Sequence, residues 1–172
     1  NNSINTLIEK PFVLNLYEAR NLIKKSKSKK IKCWVVFQNR YNLALKKLVQ
    51  VVNKKILGKI FLIDCSLIWK RDKKYYSSPW RGKYRSDGGV LSNQAIHLLD
   101  AVIHVFGKVK KFSSILSYNK KKLEAEDLAL LNLVHDNNTL TSFKATTRAD
   151  SNYRSAMDVI GEKGRVLVKG IS

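Results

Sequence analysis

The sequence predicts an α+β chain: a short βαβα unit with a parallel-sheet pattern, followed by a mostly antiparallel open sheet with one helix packed on it. Three observations predict it. Residues 4–57 alternate short apolar runs with amphipathic helical stretches. From about residue 58 the pattern changes to one strongly apolar helix and several strand-like segments separated by turn signals. The opening strand has no partner before it, although a parallel unit is normally buried on both faces by more of the same. We therefore divide the chain into 1–57, the remnant of an α/β domain, and 58–172, an α+β domain. Further chain is expected ahead of Asn1.

Each element has a local cause. Residues 4–8 are apolar and end in Glu9-Lys10-Pro11, which reads as a strand end and a turn. Asn15 precedes Glu18 by three residues, a capping-box-like helix start. Leu16, Ala19, Leu22 and Ile23 then form an amphipathic stripe that closes in a lysine run. Residues 33–37 are a compact apolar strand, and 38–42 a polar break. A second helix over 42–53 carries Leu45, Leu48, Val49 and Val52 on one face and is expected to stop at Gly58. Residues 59–69 read as a long strand and 70–89 as a long polar loop. Residues 91–106 read as one continuous helix. Four strand-like segments follow, over 110–118, 127–134, 140–147 and 156–168, the last bent at Gly161-Glu162-Lys163-Gly164. Asp136-Asn137-Asn138 is a hairpin signal.

Composition narrows the functional classes. Apolar residues make up 44% of the chain, enough for a packed core. No apolar run approaches the roughly 18 residues of a membrane span, so no membrane partner is expected. The formal net charge of +20 invites a nucleic-acid reading, but 25 of the 33 basic residues are lysines, spread in pairs such as Lys54-Lys55 and Lys110-Lys111 and in Lys120-Lys121-Lys122. A groove for bases favours arginine interleaved with aromatics, so no nucleic-acid partner is expected. Cys33 and Cys65 each sit in an apolar stretch and read as buried thiols of a reducing compartment. Neither has the companions a metal site needs, and no metal is expected.

Three clusters bear chemistry. Glu9-Lys10-Pro11 lies at the carboxyl end of a strand, the edge where open α/β sheets bind ligands. A lysine there serves as a proton donor or an electrostatic clamp. Asn93 and His97 are four residues apart and are expected to project from one helix face, where a histidine is the usual general acid or base. Trp80-Arg81-Gly82 and Asp87-Gly88-Gly89 precede that helix. The arginine suits a phosphate or carboxylate, and the glycines allow close approach to a helix N-terminus that favours anions. Each cluster alone reads more readily as a solvated lysine, a satisfied core histidine or a surface loop than as a site. No G-x-G-x-x-G occurs.

Taken in order, Glu9-Lys10-Pro11, Phe37-Gln38-Asn39-Arg40, Trp80-Arg81-Gly82, Asp87-Gly88-Gly89, Asn93-Gln94-x-Ile96-His97-x-x-Asp100, Glu126-Asp127 and Gly161-Glu162-Lys163-Gly164 resemble the Gfo/Idh/MocA oxidoreductases over nearly the whole chain. The Asn93-Gln94-x-Ile96-His97 form is most similar to the branch that oxidises C3 of UDP-N-acetylglucosamine-type uronic acids for surface polysaccharides. The resemblance implies that residues 1–57 are the last part of a Rossmann domain. It implies a cytoplasmic NAD- or NADP-dependent sugar dehydrogenase of lipopolysaccharide or surface-polysaccharide biosynthesis. The truncated chain is not expected to be active alone. Lys10, His97 and Asn93 would be catalytic, His97 as the base. Glu9, Lys10, Gln38, Trp80 and Arg81 would lie near the cofactor. Arg40, Tyr41 and Asn93 would meet a nucleotide-sugar substrate. A homo-oligomer through an apolar open sheet face is expected. Val90 and Ala95 stand where the family usually has glycine. The alternative is a noncatalytic binding or assembly domain on the same fold.

Overall fold

The structure is a computed structural model that describes residues 4–119 and 123–171. The lysine run at 120–122 lies outside the described residues. The chain divides into two compact units, residues 1–38 and 39–172. The division at 57/58 follows the change of sequence pattern. Packing places the second helix with the sheet that comes after it.

In the first unit, β1 (Thr6–Ile8) pairs in parallel with β2 (Cys33–Val35), joined by α1 (Leu16–Ser28). The Asn15 side chain accepts a hydrogen bond from Glu18 N at 2.9 Å, so the expected cap forms. Within this unit α1 buries no residue, and its stripe residues Leu16, Leu22 and Ile23 are exposed. Cys33 is exposed as well, which corrects the expectation of two buried thiols. A three-residue strand beside a single partner has nothing to cover its faces. The Lys10–Pro11 peptide is cis.

A 3-10 turn over Gln38–Tyr41 spans the division, and the second unit continues into α2 (Leu43–Asn53). Asn42 caps α2, its side chain accepting from Ala44 N at 2.9 Å. The helix closes at Lys54 and Lys55, the latter at φ 53°, several residues before Gly58. Lysine takes the left-handed turn that glycine was expected to make. Leu45 and Leu48 insert into the sheet core, which is why α2 belongs to this unit.

The sheet contains β3 (Ile60–Ile68), β4 (Val109–Ser117), β5 (Leu128–His135), β6 (Leu140–Thr146), β7 (Arg154–Gly161) and β8 (Gly164–Lys169). The spatial order is β4-β5-β6-β3-β7-β8. β3 and β6 run parallel, and every other neighbour is antiparallel. The hairpin at 136–138 turns through Asn138 at φ 66°. The segment over 156–168 is a second hairpin rather than one bent strand. Alternation sends Ile63, Cys65 and Leu67 to one face, with Phe143, Leu131 and Met157 beside them in register. The apolar helix α4 (Ile96–Phe106) packs there through Leu98, Ala101, Val102 and Phe106. Burial drives the Cys65 thiol far above its ordinary pKa. His135 is also buried there, between Gly107 O at 3.0 Å and Thr141 Oγ1 at 2.9 Å, a satisfied core histidine.

The opposite face exposes the apolar residues expected, among them Ile115, Leu130, Leu140 and Leu167, but a polar row runs across it. Asn132, Ser142, Asp64 and Asp158 follow one another in register across β5, β6, β3 and β7. Lys144 pairs with Asp64 at 2.7 Å, and Arg165 engages Asp158. Flanking these are apolar residues such as Ile115 and Leu130. Two carboxylates directly opposite on neighbouring strands repel, and each is balanced by a cation from the adjoining strand.

Candidate functional site

The long segment after β3 folds into a ring that closes on the start of the helical region. Asp87 is 3% exposed and is held through its side chain and backbone. Its Oδ2 accepts from Gly82 N at 2.7 Å, and its own N–H donates to Lys83 O at 2.9 Å. Its Oδ1 accepts from the Asn93 side-chain amide. The segment that leads into β5 meets the ring from the other side: Glu124 N and Ala125 N both donate to Gly82 O. Gly82, Gly88 and Gly89 all lie in the left-handed region, which this path fills with the residue that adopts it at least cost.

The expected continuous helix is interrupted, and Asn93 and His97 do not share one helix face. A four-residue helix, α3 (Gly89–Ser92), ends at Asn93, and α4 begins at Ile96. Between them Ala95 N donates to Val90 O at 2.8 Å, a reach of five residues instead of four. No proline or glycine sits at the break. Two side chains of the break are tied to the ring instead: Asn93 to Asp87, and Gln94 Nε2 to Tyr75 Oη at 2.9 Å. His97 lies in the first turn of α4 and is 8% exposed.

The anion expected at the helix start turns out to be the protein's own. Leu91 N donates to Glu126 Oε1 at 3.1 Å and Val90 N to Glu126 O at 2.8 Å. The Glu126 carboxyl lies where a Cβ on Gly89 would be, so only glycine fits at 89. Burial raises the Glu126 carboxyl above its usual range, the Leu91 N–H opposes this, and Asp87 and Asp127 add to the rise.

Arg81 stacks its guanidinium 3.8 Å from the Tyr75 ring centre and donates Nη1 to Tyr75 O at 3.3 Å. Trp80 beside it is half-exposed. Arg40 forms a two-pronged pair with Asp100 on α4, Nε to Oδ2 at 2.8 Å and Nη2 to Oδ1 at 2.6 Å. That pairing raises the Arg40 pKa and fixes the side chain. Tyr41 is exposed, with the Lys46 ammonium over its ring. Thus Arg81, Asn93 and His97 are gathered around the ring and the break, and Arg40 is anchored to α4 through Asp100. Glu9, Lys10 and Gln38 belong to the first unit, at or just beyond the carboxyl ends of β1 and β2. Sequence reasoning missed the roles of Asp87, Tyr75, Asp100 and Glu126. Their partners lie at spacings that no helical or strand period would flag.

Among the described residues, no group of three or more His, Cys, Asp or Glu could hold a metal ion. Among them also, no helix is long and apolar enough to cross a membrane.

The second unit is thus a mostly antiparallel sheet with a buried histidine in the first turn of its covering helix, and a parallel βαβ unit precedes it in the chain. Residues 45–167 match the model of the GFO/IDH/MocA C-terminal domain, more than half of the chain, and the chain belongs to that family. It is similar to the WlbA dehydrogenase of Bordetella pertussis, solved with NADH and UDP-GlcNAcA. The two share 27% identity and a TM-score of 0.93 over 98% of this chain and 49% of that one. The corresponding Chromobacterium violaceum complex gives 28% and 0.91 over 96% and 49%. The myo-inositol 2-dehydrogenase of Thermotoga maritima is 25% identical over 95% of this chain and 48% of its own length. The chain therefore spans about half the length of the relatives it matches.

Proposed function

We propose that this chain is the C-terminal part of an NAD(P)-dependent dehydrogenase. In this reading it oxidises the C3 hydroxyl of a nucleotide sugar such as UDP-N-acetylglucosaminuronate, in the cytoplasm, for lipopolysaccharide or other surface polysaccharide. The observation that carries the reading is His97, sequestered at the first turn of α4, directly after the break in which Asp87 fixes the Asn93 amide. The likeness to two WlbA enzymes over almost the whole chain supports the substrate class.

The residues fit a nicotinamide cofactor. The parallel β1–β2 pair ends at Ile8 and Val35, and Lys10 and Gln38 follow at the edge where parallel sheets hold dinucleotides. When bound, the nicotinamide supplies the acceptor for the hydride leaving the sugar carbon. His97 takes the proton from the hydroxyl on that carbon. Lys10 contacts the same oxygen and limits its charge as the proton leaves. Asn93 orients the hydroxyl through its Oδ1, because its amide nitrogen is committed to Asp87. Glu9, Trp80 and Arg81 line the cofactor side, and Arg40 and Tyr41 the substrate side. A second copy packs on the open sheet face, where the polar row supplies directional contacts.

The complete protein, given NAD⁺ and UDP-N-acetylglucosaminuronate, should produce NADH. His97→Ala should lower kcat by about 10²–10⁴-fold while changing KM far less. Lys10→Ala should impair both. Turnover unchanged in His97→Ala would remove His97 from the role of base, and no NADH production by the complete parent protein would replace this reading with a noncatalytic binding domain.

A further inference from the structure

We propose that the lysine-rich end of α1 is a docking surface for an anionic lipid bilayer. Residues 24–32 contain Lys24, Lys25, Lys27, Lys29, Lys30 and Lys32, all exposed. No acidic residue occurs between Glu18 and Asp64. The acidic residues of the first unit are Glu9, beyond the carboxyl end of β1, and Glu18, in the first turn of α1. Along the axis Glu18 lies at least about 9 Å from the nearest of these lysines, beyond the ~8 Å over which exposed charges are felt at physiological salt. Among the described residues no ion pair joins the lysines to a carboxylate. The cluster therefore presents its charge to the surroundings uncompensated. The expectation of no membrane partner followed from the lack of an apolar span, which a peripheral electrostatic contact does not need.

The turn that carries these lysines is tightly bonded. Lys30 N donates to Lys27 O at 3.1 Å and Ile31 N to Ser26 O at 2.9 Å, the paired bonds that close a helix through a left-handed residue. Glycine is the usual occupant of that position, and here it is Lys30 at φ 54°. A lysine there accepts backbone strain and adds a charge. Ser26 and Ser28 bond back to the chain, their hydroxyls donating to Ile31 O at 3.1 Å and Lys25 O at 3.0 Å, which leaves the ammonium groups as the outward polar surface. Residues 24–32 contain neither arginine nor an aromatic ring. That composition fits diffuse attraction to a layer of phosphate headgroups better than the forked and stacked contacts nucleic acid rewards. Topology orients the contact. The lysine turn leads into the amino end of β2, whereas Lys10 and Gln38 follow the carboxyl ends of the parallel β1 and β2. The cationic end of α1 is therefore at the opposite edge of the unit, and docking through it leaves the ligand edge facing away from the bilayer.

Cosedimentation of the complete protein with mixed phosphatidylglycerol–phosphatidylcholine vesicles tests the proposal. Binding is expected at about 50 mM salt and should fall steeply by about 300 mM, while vesicles of phosphatidylcholine alone should not bind. Each lysine at an anionic surface is worth about fivefold in partitioning. Lys24→Gln/Lys25→Gln/Lys27→Gln/Lys29→Gln should therefore weaken binding at least tenfold at unchanged thermal stability. Lys108→Gln/Lys110→Gln/Lys111→Gln/Lys169→Gln, in the sheet domain, removes the same charge and should leave binding within twofold. Equal weakening by both sets, equal binding to phosphatidylcholine alone, or no binding at low salt overturns the proposal. Duplex DNA bound more tightly than the vesicles at physiological salt, and lost in the α1 variant, also overturns it and assigns the cluster to nucleic acid. The assay needs no turnover, so its outcome is independent of the dehydrogenase reading.

Discussion

Replacing Asp87 by Asn tests whether Asn93 is set from behind. The Asp87 carboxylate is an acceptor twice over, from Gly82 N at 2.7 Å and from the Asn93 amide nitrogen. An asparagine at 87 has one acceptor and one donor, so it satisfies only one of the two as they stand. If it keeps Gly82, its NH₂ faces the NH₂ of Asn93, and Asn93 must turn over to offer its oxygen. That exchanges the atom Asn93 presents to the substrate, from an acceptor to a donor. Losing one charge-assisted bond in a buried setting costs about 1.5–3 kcal/mol of stability. A misplaced orienting group costs on the order of 10²-fold in rate. Stopped-flow or steady-state NADH production by the complete protein should show kcat reduced by roughly that factor, with the cofactor's affinity unchanged. The double variant Asp87→Asn/Asn93→Asp restores a donor–acceptor match and an oxygen facing the substrate, and should recover most of the loss. A folded Asp87→Asn protein with kcat within twofold of the parent would refute the reasoning.

Two further outcomes follow from the same region. Gly89→Ala places a methyl inside the Glu126 carboxyl at φ 82°. Left-handed strain plus overpacking should lower stability by about 2–5 kcal/mol, read by chemical denaturation, and a loss under 1 kcal/mol would show that Glu126 moves aside freely. Glu126→Gln removes a carboxyl that burial holds above its usual range. A group raised in the folded state contributes its stability at acid pH and loses it as pH climbs through the folded value. The gap between variant and parent should therefore shift in the variant's favour from acid pH toward neutrality, and a gap independent of pH would exclude ionisation of Glu126 as the cause.

How much of this was legible depends on the range of the cause. The Asn15 cap, the 136–138 hairpin and the long strand β3 are set by residues within a few positions of one another, and they stand in the structure as the pattern indicates. The break at 93–95 is different. Its residues are ordinary helix formers, and it is held by partners in the preceding loop, Asp87 and Tyr75. Helical periodicity, which sees only i to i+4, reads straight through it. Glu126 at the start of α3 is hidden in the same way, 35 residues from Leu91. The polar row on the open face was not legible, because Lys144 and Arg165 neutralise Asp64 and Asp158 from neighbouring strands whose register no local pattern gives. For the site, the residue types were visible and the order of motifs marked them, but the residues that hold them in place were not.

The two positions where the family usually has glycine bear on how the break is supported. A glycine can be demanded by a left-handed backbone or by lack of room. Neither applies here: Ala95 sits at φ −83°, Val90 lies within α3, and both are essentially inaccessible members of the sheet core. Their added carbons enter the packing beneath the break and have ordinary backbone beneath them. Val90 is tied twice, through its N–H to Glu126 O and through its carbonyl to Ala95 N. The segment between α3 and α4 is therefore clamped from the core by Val90 and Ala95 and from the loop by Asp87 and Tyr75. Glycine at 90 or 95 would keep these backbone bonds but lose the buried side-chain contacts and regain backbone freedom, the latter at about 0.5–1 kcal/mol relative to alanine. Side-chain bulk at 90 and 95 thus stiffens the segment between α3 and α4 on which Asn93 and His97 are mounted.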